Sequence, residues 1–292
     1  MLNALSIDVE EYFQVEAFRE LIPSSKWDDL PPRIEANVEY ILERLAQHQV
    51  KATFFCLGWI AQNYPSLIKK IAEEGHEIAS HGWSHTPIHH LTPEDFRLEI
   101  RKSKALLEDL TGKEVIGFRA PTYSITFKTL WALTILAEEG FRYDSSIFPI
   151  YHDLYGFPES PRFPYLLEDL SLKEFPISTF RFKGINLPLS GGGYFRLFPY
   201  LLTRFLLKRF QKKEKKPFVF YIHPWEFDPE QPRFRSPLKS RFRHYLNLSK
   251  TKIRFENLLN DFSFAPVKEV LENLKSLPVI TLEELKSCLS KK

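Results

Sequence analysis

The run Ala52-Thr53-Phe54-Phe55-Cys56-Leu57, closed by Gly58, reads as a buried strand. A helical segment from Ser66 to Glu74 follows it, stopped by Gly75, and Glu77 to Ser80 is the next strand. The same alternation extends in both directions. Upstream, Leu2 to Ile7 is a strand that ends in acids, and Pro32 to His48 carries apolar residues at helical spacing (Ile34, Val38, Ile41, Leu42, Leu45). Downstream, Thr92-Pro93-Glu94-Asp95 opens a helix that runs to about Leu110, with Thr92 as N-cap and Pro93 at the first position. Val115 to Phe118 is then a strand, Lys128 to Glu139 a helix and Phe141 to Tyr143 a strand. Strand and helix in regular alternation predict an α/β fold with parallel strands. Ionisable residues stand where the strands end, which favours a barrel, complete or distorted, over an open sheet.

The texture changes after Pro149. Residues 150–200 are rich in Pro, Phe, Tyr and Gly and read as loops and short strands, with Gly191-Gly192-Gly193 near the end. Leu197 to Phe210 is helical, Pro217 to Ile222 is a strand, and a polar, basic stretch follows. The chain closes with a helix from Val267 to Leu274, a short strand at Val279-Ile280 and a helix capped by Thr281 with Glu284 three residues on. One compact body is expected over residues 1–285, with a barrel half at 1–149, an elaborated C-terminal half at 150–285, and a tail at 286–292.

A chain of 292 residues that is 43% hydrophobic can fill a sizeable core. The formal net charge of +3 is too small to argue for a nucleic-acid partner. Two distant cysteines, Cys56 and Cys288, indicate neither a disulfide framework nor a cysteine zinc site. The N-terminus enters a strand directly, without a basic region and an apolar region before it, so no secretory signal is expected and the default location is the cytoplasm. No stretch reaches the roughly 18 apolar residues of a membrane span.

Five segments carry chemistry. Asp8 and Glu10, two apart at a strand end, point to one side. Two such acids repel unless a cation lies between them, so they read as a metal ligand beside a general base, or else as a solvated acidic turn. His81 and His85, four apart, come to one side if a helical turn joins them. With a carboxylate they make a donor set that suits zinc and leaves open positions, although such pairs also occur as polar surface residues. His76, His89 and His90 read as structural or surface histidines. Arg119, fixed by Pro121, either orients Asp8 or makes an ordinary surface ion pair. Asp144 either holds a histidine or caps the turn through Ser145 and Ser146. His223 ends Phe218-Val219-Phe220-Tyr221-Ile222, a strand apolar on both faces, and is either functional or a satisfied structural histidine.

In this order the segments resemble the NodB-type polysaccharide deacetylases of carbohydrate esterase family 4: an acidic first strand, H-x-x-x-H, R-x-P, an Asp at a strand end, then a hydrophobic strand ending in His. The phrases at Asp8–Val15, Tyr143–Pro149, Ser190–Tyr200, Phe220–Pro229 and Phe242–Thr251 resemble a subfamily found with exopolysaccharide and PEP-CTERM export loci. The resemblance implies a distorted (β/α) barrel of the NodB-homology type. It implies a metal-dependent hydrolase that removes N-acetyl groups from amino sugars of an oligo- or polysaccharide in exopolysaccharide synthesis. Asp8 then matches the catalytic base, Arg119 the residue that steadies it, His223 the general acid, and Asp144 the residue that tunes the histidine. His81 and His85 match the metal-binding histidines, and the metal and a backbone N–H near Thr122 would stabilise the oxyanion.

One place departs from the common family pattern. Val9 stands where a second Asp is usual, and Glu10 is expected to replace it as ligand, with Glu11 as the other candidate. The implied cofactor is a divalent ion, zinc first, then cobalt or manganese. Trp83, Tyr123, Tyr194, Phe195 and Trp225 are expected to form aromatic walls for sugar rings. The implied substrate is an N-acetylated, lipid-linked or cytosolic glycan. The competing functions are a metal-independent, allantoinase-like amidohydrolase and a non-catalytic sugar-binding protein. Phe198 to Lys216, apolar on one face and basic towards its end, is read as an outer helix with its apolar face in the core rather than as a contact with an anionic membrane.

Overall fold

The computed structural model describes residues 1–288. The first half alternates as its sequence predicts. β1 (Leu2–Val9), α1 (Ile34–Gln47), β2 (Thr53–Cys56), α2 (Gly58–Asn63), α3 (Pro65–Glu73) and β3 (Glu77–Ser80) lead into α4 (Pro93–Thr111). β4 (Gly117–Phe118), α5 (Trp131–Glu138) and β5 (Tyr143–Asp144) complete it. Thr92 caps α4 as expected, its Oγ1 accepting from the Asp95 N–H.

The second half adds β6 (Tyr165–Leu167), β7 (Leu172–Glu174), a separate hairpin of β8 (Thr179–Phe182) and β9 (Ile185–Pro188), α6 (Gly192–Leu197) and α7 (Tyr200–Glu214). After β10 (Val219–Ile222) come α8 (Leu238–Tyr245), α9 (Thr251–Asp261), β11 (Ser263–Ala265), α10 (Val267–Glu272), β12 (Val279–Ile280) and α11 (Leu282–Ser287). The stretch that reads as merely polar and basic thus holds α8, α9 and β11. α8 buries only His244, so no apolar period marks it. The expected tail is helical to Ser287, and its residues 289–292 lie outside the described part.

The main sheet runs β10-β1-β2-β3-β4-β5-β7-β6-β12, with β11 also on β1. Its pairings are parallel except β6 with β7. No pairing among the described residues joins β10 to β12, so the barrel is distorted and incomplete.

Register places the strand ends together. Val9 lies opposite Cys56, Cys56 opposite Ser80, Ser80 opposite Phe118, Phe118 opposite Asp144, and Ile7 opposite Ile222. The residues that follow therefore emerge at one rim. Alternation does the rest. Leu5, Ile7, Val9, Phe54, Phe118, Phe220 and Ile222 pack outward in the core shared with the helices. Ala4, Phe55, Ala79, Val219 and Tyr221 fill the barrel interior, where α10 contributes Val267, Val270 and Leu271. By the same parity Asp8, His81, Arg119 and His223 face inward at the rim.

Just before β3, the buried His76 accepts a hydrogen bond from the Ala52 N–H at Nδ1 (3.2 Å), and burial pushes its pKa down to about 4. His81 is held down to about 4 by the same cause. A histidine with a depressed folded pKa takes up its proton in the unfolded chain first. Its stabilisation is complete above the unfolded value and is lost as pH falls towards the folded one. The metal-free protein is therefore expected to lose urea resistance between about pH 6.5 and pH 4, and His76→Asn should reduce that slope. An equal slope in the variant would show that His76 takes no part.

Candidate active site

Arg119 is fully buried and holds the floor of the rim. One Nη donates to Asp8 Oδ1 (2.7 Å) and Ser6 Oγ (2.6 Å), the other to Ser145 Oγ (3.0 Å), and Nε donates to the Ser145 carbonyl (3.0 Å). Phe55 lies under the guanidinium at 4.1 Å. Asp8, 2% exposed, turns Oδ2 to the pocket, where it accepts from the Tyr123 hydroxyl (3.4 Å) and lies 3.8 Å from His223 Nε2. Of the two readings of Arg119, the one that orients Asp8 is the one seen.

Glu10, His81 and His85 form a second buried cluster whose ligand atoms lie within 4.8 Å of one another. His81 Nδ1–H donates to the Arg119 carbonyl (2.7 Å), which fixes the tautomer and leaves Nε2 as a lone pair. Glu10 Oε1 accepts from the Trp225 indole N–H (2.9 Å), and Oε2 lies 2.6 Å from His85 Nε2. Burial would raise the Glu10 carboxyl, but His85 and His223 outweigh it and hold it far below the usual range, so Glu10 is an anion. A buried carboxylate and two imidazoles converging on one point, one of them held by a backbone carbonyl, fit a divalent cation. Glu11 turns away: its Oε1 accepts the Arg33 and Ile34 N–H groups (2.7 and 2.9 Å) at the start of α1. The histidine pair is joined by a loop, not by the expected helical turn. Gly82 (φ 78°) and His85 (φ 52°) take left-handed conformations that fold the chain back after β3.

His223 follows β10 and is clamped from behind. Its Nδ1 pairs with Glu226 Oε1 (2.5 Å), while Glu226 Oε2 accepts from Arg196 Nε (2.7 Å). Arg196 in turn donates to the carbonyls of Arg243, His244 and Leu246. The ring stacks on Trp225, centroids 5.2 Å apart. Burial opposes the charged imidazole, but Glu10, Glu226 and Asp8 prevail and raise its pKa to about 9.

Asp144 requires a correction. It does not reach His223; its oxygens take the Ser146 Oγ–H and N–H (2.5 and 3.2 Å), and it lies against Glu174. Burial lifts both carboxyls, Glu174 most strongly, so the pair retains a proton and buttresses the loop that holds Arg119. The carboxylate behind the histidine is Glu226. The signal for it was present: His223 and Glu226 stand three apart around Pro224, a spacing that lets each side chain cap the other's backbone.

A cavity of about 460 Å³ joins these groups. Thr122, Tyr123, Tyr194 and Trp225 line it as expected. Trp83 does not; its ring packs on Gly58, where a Cβ would come within 2.2 Å, and under the Lys102 ammonium. Phe195 is buried against Phe220. Helix α6, which presents Tyr194 and Arg196, is entered through Gly191 (φ 88°), where a Cβ would stand 2.0 Å from the Tyr221 carbonyl. Of the remaining histidines, His76 is structural, and His89 and His90 are exposed with their rings in tilted contact, centroids 4.3 Å apart.

Replacing Glu226 by Gln removes the charge behind His223 without changing shape. In the metal-free protein the His223 imidazole, followed by NMR, is expected to titrate well below the present value of about 9. An unchanged titration would show that Glu226 does not support the charge.

Fold and site define a distorted, mostly parallel α/β barrel whose rim places a Glu–His–His cluster that could hold a cation next to a carboxylate–imidazole pair. Residues 24–143 match the polysaccharide deacetylase family, and residues 145–272 match a domain of unknown function, DUF3473. Residues 24–143 thus form a segment of the polysaccharide deacetylase type, and the fold around it is that of a solved member of that class. The chain is 40% identical over 93 residues to a peptidoglycan-N-acetylglucosamine deacetylase of Bacillus cereus, covering 32% of this chain and 34% of that protein. It is 30% identical over 113 residues to a peptidoglycan deacetylase of Helicobacter pylori, covering 39% and 38%. The chain thus spans about a third of the length of these relatives. A Mycobacterium smegmatis structure assigned to the polysaccharide deacetylases shares the fold, with a TM-score of 0.60 at 20% identity over 95% of this chain and 92% of that one.

Proposed function

We propose that this protein is a divalent-metal-dependent hydrolase that removes N-acetyl groups from amino sugars of an oligo- or polysaccharide. The observation that carries the reading is the placement of Glu10, His81 and His85 directly beside Asp8 and His223, with His223 Nε2 3.8 Å from both Asp8 Oδ2 and Glu10 Oε1. A cation held by Glu10, His81 and His85, zinc first and cobalt or manganese next, supplies Lewis acidity for the amide carbonyl.

The chain's own residues do the proton work. Asp8, fixed by Arg119, takes a proton from the attacking water through Oδ2. His223, charged and held by Glu226, gives its proton to the departing amine. Tyr123, Tyr194 and Trp225 give sugar rings apolar faces in the same cavity. The metal-independent alternative requires Glu10 to point elsewhere, and its contacts with His85 and Trp225 favour the metal reading. In the finer form of this proposal the substrate is a lipid-linked or cytosolic precursor of an exopolysaccharide, met in the cytoplasm.

The test is acetate release from N-acetylglucosamine oligosaccharides by metal-stripped protein, before and after addition of Zn²⁺, Co²⁺ or Mn²⁺. Release restored by metal supports the proposal; equal release without metal defeats it.

A further inference from the structure

α7 does not keep its apolar residues in the core. Thr203, Leu207 and Phe210 are buried, but Leu201 (73% exposed) and Phe205 (58%) form a second stripe that faces outward. Opposite it stands the β8–β9 hairpin, whose tip pairs Phe182 with Ile185, both more than half exposed, around Lys183 and Gly184. Such a hairpin alone is marginal in water, and it is not part of the main sheet. Between hairpin and helix runs a groove of about 690 Å³. Arg181, Lys183, Arg209 and Lys213 line it, no acid does, and among the described residues none of the four makes an ion pair. Tyr194 lines both this groove and the catalytic cavity, and the exposed Leu197 and Phe242 continue the apolar surface around that cavity's mouth.

We propose that the α7 and β8–β9 surface docks on an anionic phospholipid bilayer, with the mouth of the catalytic cavity turned towards the lipid. Apolar side chains flanked by unpaired cations suit the boundary between acyl chains and anionic headgroups. A protein partner would be expected to neutralise four cations with acids of its own, whereas a lipid surface supplies the charge without that match. Among the described residues no helix is long and apolar enough to cross a membrane, so the contact is peripheral. This inference does not depend on the reaction catalysed.

The experiment is co-sedimentation of the full chain with vesicles of equimolar phosphatidylcholine and phosphatidylglycerol, against phosphatidylcholine alone. Binding is expected only to the anionic vesicles and should fall in molar salt. Removing two charges with Arg209→Gln and Lys213→Gln is expected to weaken partitioning roughly 30-fold. The Leu201→Glu and Phe205→Glu pair is expected to abolish it, while Leu98→Glu, at an exposed leucine of α4, leaves it intact. Far-UV circular dichroism and cation binding check that each variant folds. Failure to bind anionic vesicles at low salt overturns the proposal, as does binding that the α7 variants do not change. A dimer that Phe205→Glu dissolves, without vesicle binding, would also overturn it and give the surface to a second copy.

Discussion

Asp8→Asn is expected to lower turnover on an N-acetylated oligosaccharide by about 10²–10⁴-fold, the usual contribution of a positioned acid–base group. The substitution keeps the shape of the side chain and its contact with Arg119, but leaves no carboxylate to take the proton from water. Cation affinity should change little, because the proposed ligands are Glu10, His81 and His85. The measurement is kcat with excess metal, together with metal binding by calorimetry. Full turnover in the variant would remove Asp8 from the base role. Lost metal binding with lost turnover would instead make Asp8 a ligand.

Arg119→Met is expected to destabilise the protein by about 3–5 kcal/mol, because it strands a buried carboxylate. Arg119 and Asp8 are 0% and 2% exposed, and the guanidinium also serves Ser6 and Ser145, so several polar groups lose their partner at once. Adding Asp8→Asn should recover part of the loss, since the stranded charge is then gone. Chemical denaturation of both variants checks this. A single variant within about 1 kcal/mol of the parent would show that water reaches Asp8 and that the pair is not a structural anchor.

The two segments matched by different families divide the chemistry between them. Residues 24–143 hold His81, His85 and Arg119, while residues 145–272 hold His223, its clamp of Glu226 and Arg196, and the proposed lipid-facing surface. The second segment is therefore more than an appendage. It supplies His223, the proposed proton donor, one wall of the cavity and the surface around the cavity's mouth.

Much of this was legible in the linear chain. Apolar runs alternating with helical periods dictate parallel strands, because each strand must be covered on both faces. Residues that follow such strands emerge at one rim, so Asp8, His81, Arg119 and His223 could be grouped before any coordinates. Local chemistry was equally readable at Thr92 and Thr281, whose caps depend only on residues three positions away.

What the sequence could not decide is which partner each charged group takes, because a pairing is set by register between distant strands and by loops with left-handed residues. Asp144 and Glu226 look alike as acids near a strand end. Only the packing of β5 against β7 commits Asp144 to Glu174, whereas Glu226 reaches His223 through a local three-residue spacing around Pro224. Likewise α7 has one amphipathic pattern in sequence, but the neighbouring elements bury just one of its two apolar stripes. Periodicity reports that a face is apolar; tertiary structure alone determines whether anything covers it.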